Sequence, residues 1–467
     1  MFSNYLKNNK EKAKELVNIL SDSFDYVSIL LTDVKNKIIR VTNKTTNISN
    51  SISQECGFVV KMNKGGAFFE YSKESMPDDI KALAKEILDS IKIDESLKKL
   101  EIKPNKIQEE KLIKDFVRES DFDLVDDNKK LSLLNELKNK LNGKEHVINV
   151  ITMLNTLDVS KMFISKNKEL SQYYTWSNMG LILIYNNNGK TVMPREFTYS
   201  NNILDCFKDT DILIENILKK AECLTKAKPI KPGVYDIITD YSITGLIAHE
   251  AFGHGVEMDQ FVKDRAMAKY FINKEVASNI VNMHDGASAA FSTASYFFDD
   301  DGVLASDTQI IENGILKSGI SDLVSATQLG TKPTGNGRRQ SYKNKAYTRM
   351  TNTFISSGNA KLDDMIKSVK HGYMLFETNN GMEDPKNWNI QCTAEYGIEI
   401  VDGKLTDNYV SPVVMSGFVP DLLKSISMVS DGFLVIGSGS CGKGYKEWVR
   451  VSDGGANLKA RCKLSWY

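Results

Sequence analysis

The 467-residue chain has no net charge, because 60 Lys and Arg balance 60 Asp and Glu. No global field draws it to nucleic acid or to an anionic membrane, so binding has to come from a local site. Long apolar runs are also missing. Nothing approaches the roughly 18 uninterrupted apolar residues of a spanning helix, and the opening MFSNYLKNNKEKAKEL is polar, without the apolar core of a secretory signal. A cytoplasmic address is expected. Cysteine is scarce: Cys56, Cys206, Cys223, Cys392, Cys441 and Cys462 are scattered with no CxxC pair, which fits a reducing compartment rather than a disulfide framework. There are only five histidines, and no internal repeat or low-complexity tract.

The length and apolar content suit a globular protein of more than one domain. Leu6, Ala13, Leu16, Val17, Leu20 and Phe24 recur at helical spacing. Two β-like pairs follow, YVSILLTD with KIIRVT, then CGFVVKM with AFFEYS around the turn NKGG. Ile80, Leu83, Ala84, Ile87, Leu88 and Ile91 form one apolar stripe, with Pro77 suited to its first turn. Residues 92 to 130 are charge-rich and read as an exposed connection or lysine-studded helices. A helix is expected from Lys130 to Leu141, strands at VSKMFIS, YYTWS and GLILIYNNNGKTVMPREFTYS, and a helix around Ile203 to Ala221.

The run KAKPIKPG, with two prolines and no periodicity, reads as a linker and places a boundary near 228 to 233. The expected fold class is α+β: an N-terminal mixed α/β domain over 1–230, then a sheet-rich C-terminal domain over 231–467. That second half is glycine-punctuated. Two short helices are expected in it, through Leu362, Met365, Ile366 and Val369, and through Leu422, Leu423 and Ile426.

Within the second half stands HEAFGH, where His249 and His254 are five residues apart with Glu250 between them. With so few histidines, chance yields such a pattern in a chain this long roughly three times in a thousand. On a regular α-helix five residues leave the imidazoles about 140° apart, too far round to share an ion. A π-type widening, with hydrogen bonds to the fifth residue, brings them together, and such bulges occur mostly at functional sites. Gly253 and Gly255 lower the cost of leaving regular geometry. Glu250 then stands beside the ion without ligating it, where a carboxylate can take a proton from an activated water. Zinc suits the role, commonly with three protein ligands and an open position.

Candidates for the third ligand are His284, His371, Glu257, Asp259, the cluster Asp299, Asp300 and Asp301, and the cysteines. Cys441 stands out, since GSGSCGKG sets a thiol among glycines with Lys443 nearby to favour the thiolate. GNGRR raises an anion-cradle reading through its amides and guanidiniums, although no Lys-Ser/Thr follows as in a P-loop. Arg338 or Arg339 could hold a substrate carbonyl or carboxylate, or could anchor a loop through carboxylate pairs; Tyr342 and Asn336 remain unassigned.

HEAFGHGVEMD at 249–259, IENGILKSGISD at 311–322, PTGNGRRQSY at 333–342, RMTNTFISSG at 349–358 and CGKG at 441–444 together resemble the TldD/PmbA family of metallopeptidases, in its metal-binding TldD-type branch. The resemblance is strong from about 240 to 445 and weaker before it. It implies that His249, His254 and Cys441 bind zinc and that Glu250 is the general base. It also implies a closed dimer, either a homodimer or a heterodimer with a PmbA-type paralogue, acting on peptides or unfolded proteins. This chain departs from the family after CGK, where a Gly-Gln is replaced by GYKEWVRVSDGG. The leading expectation is a zinc metallopeptidase, with no nucleic-acid or membrane partner. The alternatives are an amide hydrolase of a modified-peptide or small-molecule pathway and a non-catalytic regulatory zinc protein.

Overall fold

The computed structural model describes residues 2–50, 55–91 and 106–466. Its first half is built on a nine-stranded sheet whose central path runs Ala67–Lys73, Glu55–Lys64, Tyr26–Val41, Val147–Ser165, Lys168–Asn187, Leu112–Val117. The sequence suggested short strands near 159–165 and 173–177. They belong to one long hairpin of 19- and 20-residue strands, paired from Val147 with Tyr185 to Ile164 with Glu169. Residues 112–117 form an edge strand, parallel to Lys168–Asn187, rather than the expected connection or helix. The part of that expectation over 92–105 lies outside the described residues.

Period-two alternation sends each strand's side chains to opposite faces, and here both faces are used. Ile29, Leu31, Ile39 and Val41 face the helices Asn4–Leu20, Ile80–Ser90, Asp127–Leu141 and Thr210–Lys226. Leu30 and Val34 on the same strand pack instead with Phe163, Phe298, Tyr174 and Tyr296, joining the sheet to the second half of the chain. Asp79 caps the second helix by accepting from Ala82 N at 2.9 Å, so Pro77 lies ahead of the helix and not in its first turn.

The linker-like run is ordered against the second half: Lys228 bridges Val410 and Ile230 is buried. Beyond it, a seven-stranded sheet that includes Gly233–Thr239, His371–Asp384, Asn389–Val401 and Leu458–Ser465 faces a six-stranded sheet that includes Met283–Asp285, Asn352–Ile355, Leu434–Lys443 and Glu447–Gly455. Ile237, Leu375 and Ile390 from the first and Met283, Ile311 and Ile355 from the second enclose one core, with Ile247, Ala251 and Phe252 among them. Each such buried aliphatic or aromatic side chain contributes about 1.5–3 kcal/mol. The histidine segment is therefore fixed from both sides. The two expected short helices are present in part, at Leu362–Lys367 and Val419–Lys424, and end before Val369 and Ile426.

Candidate metal centre

The histidine segment begins as a short α-helix, Tyr241–Leu246, capped by Asp240, which accepts from Ile243 N at 2.7 Å. It then widens into a π-helix over Ile247–Gly253 and tightens to a 3-10 turn at His254–Val256. The backbone N–H of His254 donates to the carbonyl of His249, a five-residue hydrogen bond that sets one imidazole over the other. Their ring centroids are 5.0 Å apart and the planes perpendicular.

The glycines serve this segment differently from the expectation. Gly253 has ordinary helical dihedrals, so conformational freedom is not its use. A Cβ there would lie 2.2 Å from the sulfur of Met350, one at Gly255 would lie 2.7 Å from a Glu383 oxygen, and one at Gly381 would lie 2.5 Å from Cγ of Glu250. Close packing around the two histidines requires the missing side chains.

Cys441, on the strand Leu434–Lys443, brings its Sγ to 3.6 Å from Nε2 of His254. One ligand atom from each of His249, His254 and Cys441 lies within 4.8 Å of the others, the one such three-residue group among the described residues. Glu250 stands beside it, Oε2 3.7 Å from Nε2 of His254 and Oε1 3.9 Å from Nε2 of His249. Burial opposes charge on all three donor groups, yet their proximity prevails. The Cys441 sulfur pushes His249 up to about 9, Glu257 and then Cys441 push His254 up, and the two imidazoles drive the Cys441 thiol well down. A soft thiolate and two imidazoles at one buried point form a donor set for a divalent transition metal, and binding one there would release the imidazole protons. Among the described residues His249 Nδ1, which is buried, has no hydrogen-bond partner.

Glu257 does not join the donor group. Its Oε2 meets Nδ1 of His254 at 3.3 Å, which leaves Nε2 free to ligate, the outer-shell arrangement that fixes a metal-binding tautomer. Lys443 does not face the thiolate as expected: its ammonium donates at 2.9 Å to Glu257, to Asp259 and to the Thr348 carbonyl. His284 pairs with Asp307 and His371 with Glu399. Asp300 pairs with Lys161 at 2.5 Å, Asp301 pairs with Lys61, and Asp299 accepts three backbone N–H groups.

Two residues escaped sequence reasoning. Arg349 donates to the carbonyls of Cys441 and Glu447 and so fastens the cysteine strand. Glu383 accepts from Gly255 N at 3.0 Å, and burial pushes its carboxyl up to about 8. Arg349 lies in RMTNT, so its motif was visible; Glu383 had no local signal. Arg339 pairs with Glu70 at 2.9 Å, as the loop-anchor reading through carboxylate pairs has it, whereas Arg338 donates to the carbonyls of Met350 and Arg450 and to no carboxylate among the described residues.

The donor group lies in a cleft of ≈ 2000 Å³ whose walls come from both halves of the chain, including Arg195–Asn201 on one side and Thr378–Glu383 and Ser440–Gly444 on the other. Two strand edges border it. Among the described residues Leu434–Lys443 pairs only with Glu447–Gly455, and His371–Asp384 pairs with Gly233–Thr239 only up to Leu375, leaving the later edge unpaired.

Residues 232–452 match the PmbA/TldA metallopeptidase C-terminal domain. The chain is 30% identical over 302 residues to the zinc metalloprotease TldD homolog of Saccharolobus solfataricus, covering 64% of this chain and 67% of that one. It is 32% identical over 243 residues to a metalloprotease of Methanothermobacter thermautotrophicus, where the matched stretch spans 52% of each chain, about half the relative's length. The fold matches that of TldE from Thermococcus kodakarensis with a TM-score of 0.73 at 17% identity, covering 97% of this chain and all of that one. The chain belongs to the PmbA/TldD family.

Proposed function

We propose that the protein is a zinc-dependent peptidase in which His249, His254 and Cys441 hold the ion and Glu250 is the general base. The convergence of the three donor atoms within 4.8 Å, with Glu250 against them, carries this reading. Sulfur and imidazole donors suit zinc among the common divalent ions, and three protein ligands leave a position open. A bound zinc supplies Lewis acidity, polarising a scissile carbonyl and making water a competent nucleophile near neutral pH. The residues do the rest. Glu250 takes the proton from the attacking water and passes it to the departing amine, and Glu257 holds the His254 tautomer. Gly381 leaves room for the Glu250 side chain, since a Cβ there would lie 2.5 Å from its Cγ.

The unpaired edges beside the cleft support peptides or unfolded proteins as substrates. Adding an extended chain to a sheet edge uses backbone hydrogen bonds, which read many sequences and exclude folded chains. A second copy or a PmbA-type paralogue is the proposed partner. The test is a digest of an unfolded protein such as reduced casein, with metal analysis, comparing the native chain and Glu250→Gln. The reading requires full zinc in both and cleavage slowed roughly 10²–10⁴-fold in the variant. Zinc-loaded native protein that leaves casein and short peptides intact would overturn it.

A further inference from the structure

The segment GNGRR does not face the metal cleft. Its backbone amides are already committed inside the chain: Gly337 N donates to Asp299 at 2.8 Å and Arg339 N to Asp300 at 2.9 Å. The anion cradle suggested by the sequence therefore exists, and aspartates of the same chain fill it. The guanidiniums go elsewhere. Arg338 and Arg339 line a second cavity of ≈ 250 Å³ between the halves, with Lys161, Glu55 and Arg450 also on its wall. That volume is several times the roughly 30 Å³ share of one water.

Most charges in this wall have partners. Lys161 meets Asp300 at 2.5 Å, Arg339 meets Glu70 at 2.9 Å, and Glu55 accepts from Tyr342 N at 2.7 Å. Arg338 donates to two carbonyls at 2.6 Å and lies 5.5 Å from the Tyr296 ring, without a carboxylate. Arg450 differs from all of them. Among the described residues nothing accepts from its guanidinium, and the ionisable groups nearest in effect are the neutral phenols of Tyr199 and Tyr174 and the guanidinium of Arg338. Burial pulls its pKa down, which marks a cation without compensation. It stands opposite Ser440 in the hairpin that carries Cys441, in the stretch after CGK where this chain leaves the family pattern.

We propose that this cavity is a binding site for a small oxyanion of phosphate or carboxylate type, held by Arg450 with Arg338 beside it. Arg450 is half-buried, so its unpaired guanidinium opens onto the cavity, and a planar two-donor fork is the group that proteins use for carboxylate and phosphate. A cavity of ≈ 250 Å³ suits a small occupant.

Isothermal titration of the full chain with inorganic phosphate, against chloride at matched ionic strength, tests the site, with malonate as the carboxylate arm. Saturable binding of phosphate or malonate, weakened at least tenfold in Arg450→Gln, is the expected result, and the tighter of the two identifies the oxyanion class. No heat beyond the chloride control from either anion, or equal affinity in the variant, overturns the proposal. Should Arg450→Gln fail to fold, phenylglyoxal labelling of the native chain serves instead. Mass spectrometry must then show Arg450 protected by phosphate or malonate and not by chloride; absence of that protection has the same negative force. No readout depends on bound metal or cleavage, so the proposed peptidase activity and this site stand or fall separately.

Discussion

Two buried polar clusters lie in this molecule, one around His254 and one where the N-terminal sheet meets the loop at Asp299–Asp301. They differ in what their charges face. At the interface Lys61, Lys161 and Arg339 have anions of the same chain: Lys61 with Asp301 and Glu70, Lys161 with Asp300, Arg339 with Glu70. At the candidate metal centre a sulfur and two imidazoles converge, one donor atom of each within 4.8 Å of the others. A cluster closed within the chain joins parts of the fold, whereas donors converging on one point leave a place for something else. Substitutions in the two should therefore fail differently.

The largest effect is expected from His254→Ala. With the ion go several kcal/mol of transition-state stabilisation, so cleavage should fall roughly 10³-fold or more. Zinc content should drop with it while the urea midpoint of the zinc-free proteins stays close to native. Lys61→Ala should give the reverse. Removing one partner of a buried pair leaves the other charge uncompensated, at a cost of about 3–5 kcal/mol, here Asp301. Urea unfolding should report that loss with zinc stoichiometry unchanged. A His254→Ala protein as unstable as Lys61→Ala would erase the distinction.

Glu257→Gln lies between the two clusters in kind, since Glu257 holds Lys443 on one side and His254 on the other. Loss of a carboxylate that orients a ligating imidazole typically costs 10–100-fold in metal affinity. Competition with a chromogenic chelator should show that drop, with the ion still bound at saturation. Unchanged affinity would mean that the His254 tautomer is set by something else.

The gathering of His249, His254 and Cys441 was more legible in the sequence than the interface, for a physical reason. The five-residue gap between His249 and His254 carries its geometry locally, and the π-helix follows from it. Cys441 had the right chemistry but lies 187 residues from His254, so proximity alone was invisible and the family motif had to supply it. Glu383 and the pairing of Lys443 with Glu257 and Asp259 depend wholly on tertiary contact. The long hairpin read as fragments because the sheet is covered on both faces. Ser160, Lys161 and Gln172 interrupt its apolar pattern, and Lys161 and Gln172 do so to reach Asp300 and the Phe298 carbonyl on the far side. In the same way Arg338 and Arg339 carried a signal of importance without its direction, towards the metal or away from it.

The smallest effect separates two carboxylates within the interface itself. Burial raises both, but for Glu70 the cations Lys61 and Arg339 outweigh it and hold the group at about 2, whereas Glu55 is pushed up to about 7 with Lys161 opposing only in part. An unfolded glutamate titrates near 4.3. Glu70 therefore stabilises the fold fully above about pH 4.3, and that contribution is lost as pH falls through about 2. Glu55 acts with the opposite sign. Between about pH 4.3 and 7 the folded protein keeps a proton that the unfolded chain has released, so its contribution declines as pH rises across that window. Urea unfolding from pH 4.5 to 7.5 should show Glu55→Gln gaining on the native chain with each step upward. A constant difference between the two would mean that water reaches Glu55 and that burial does not govern it.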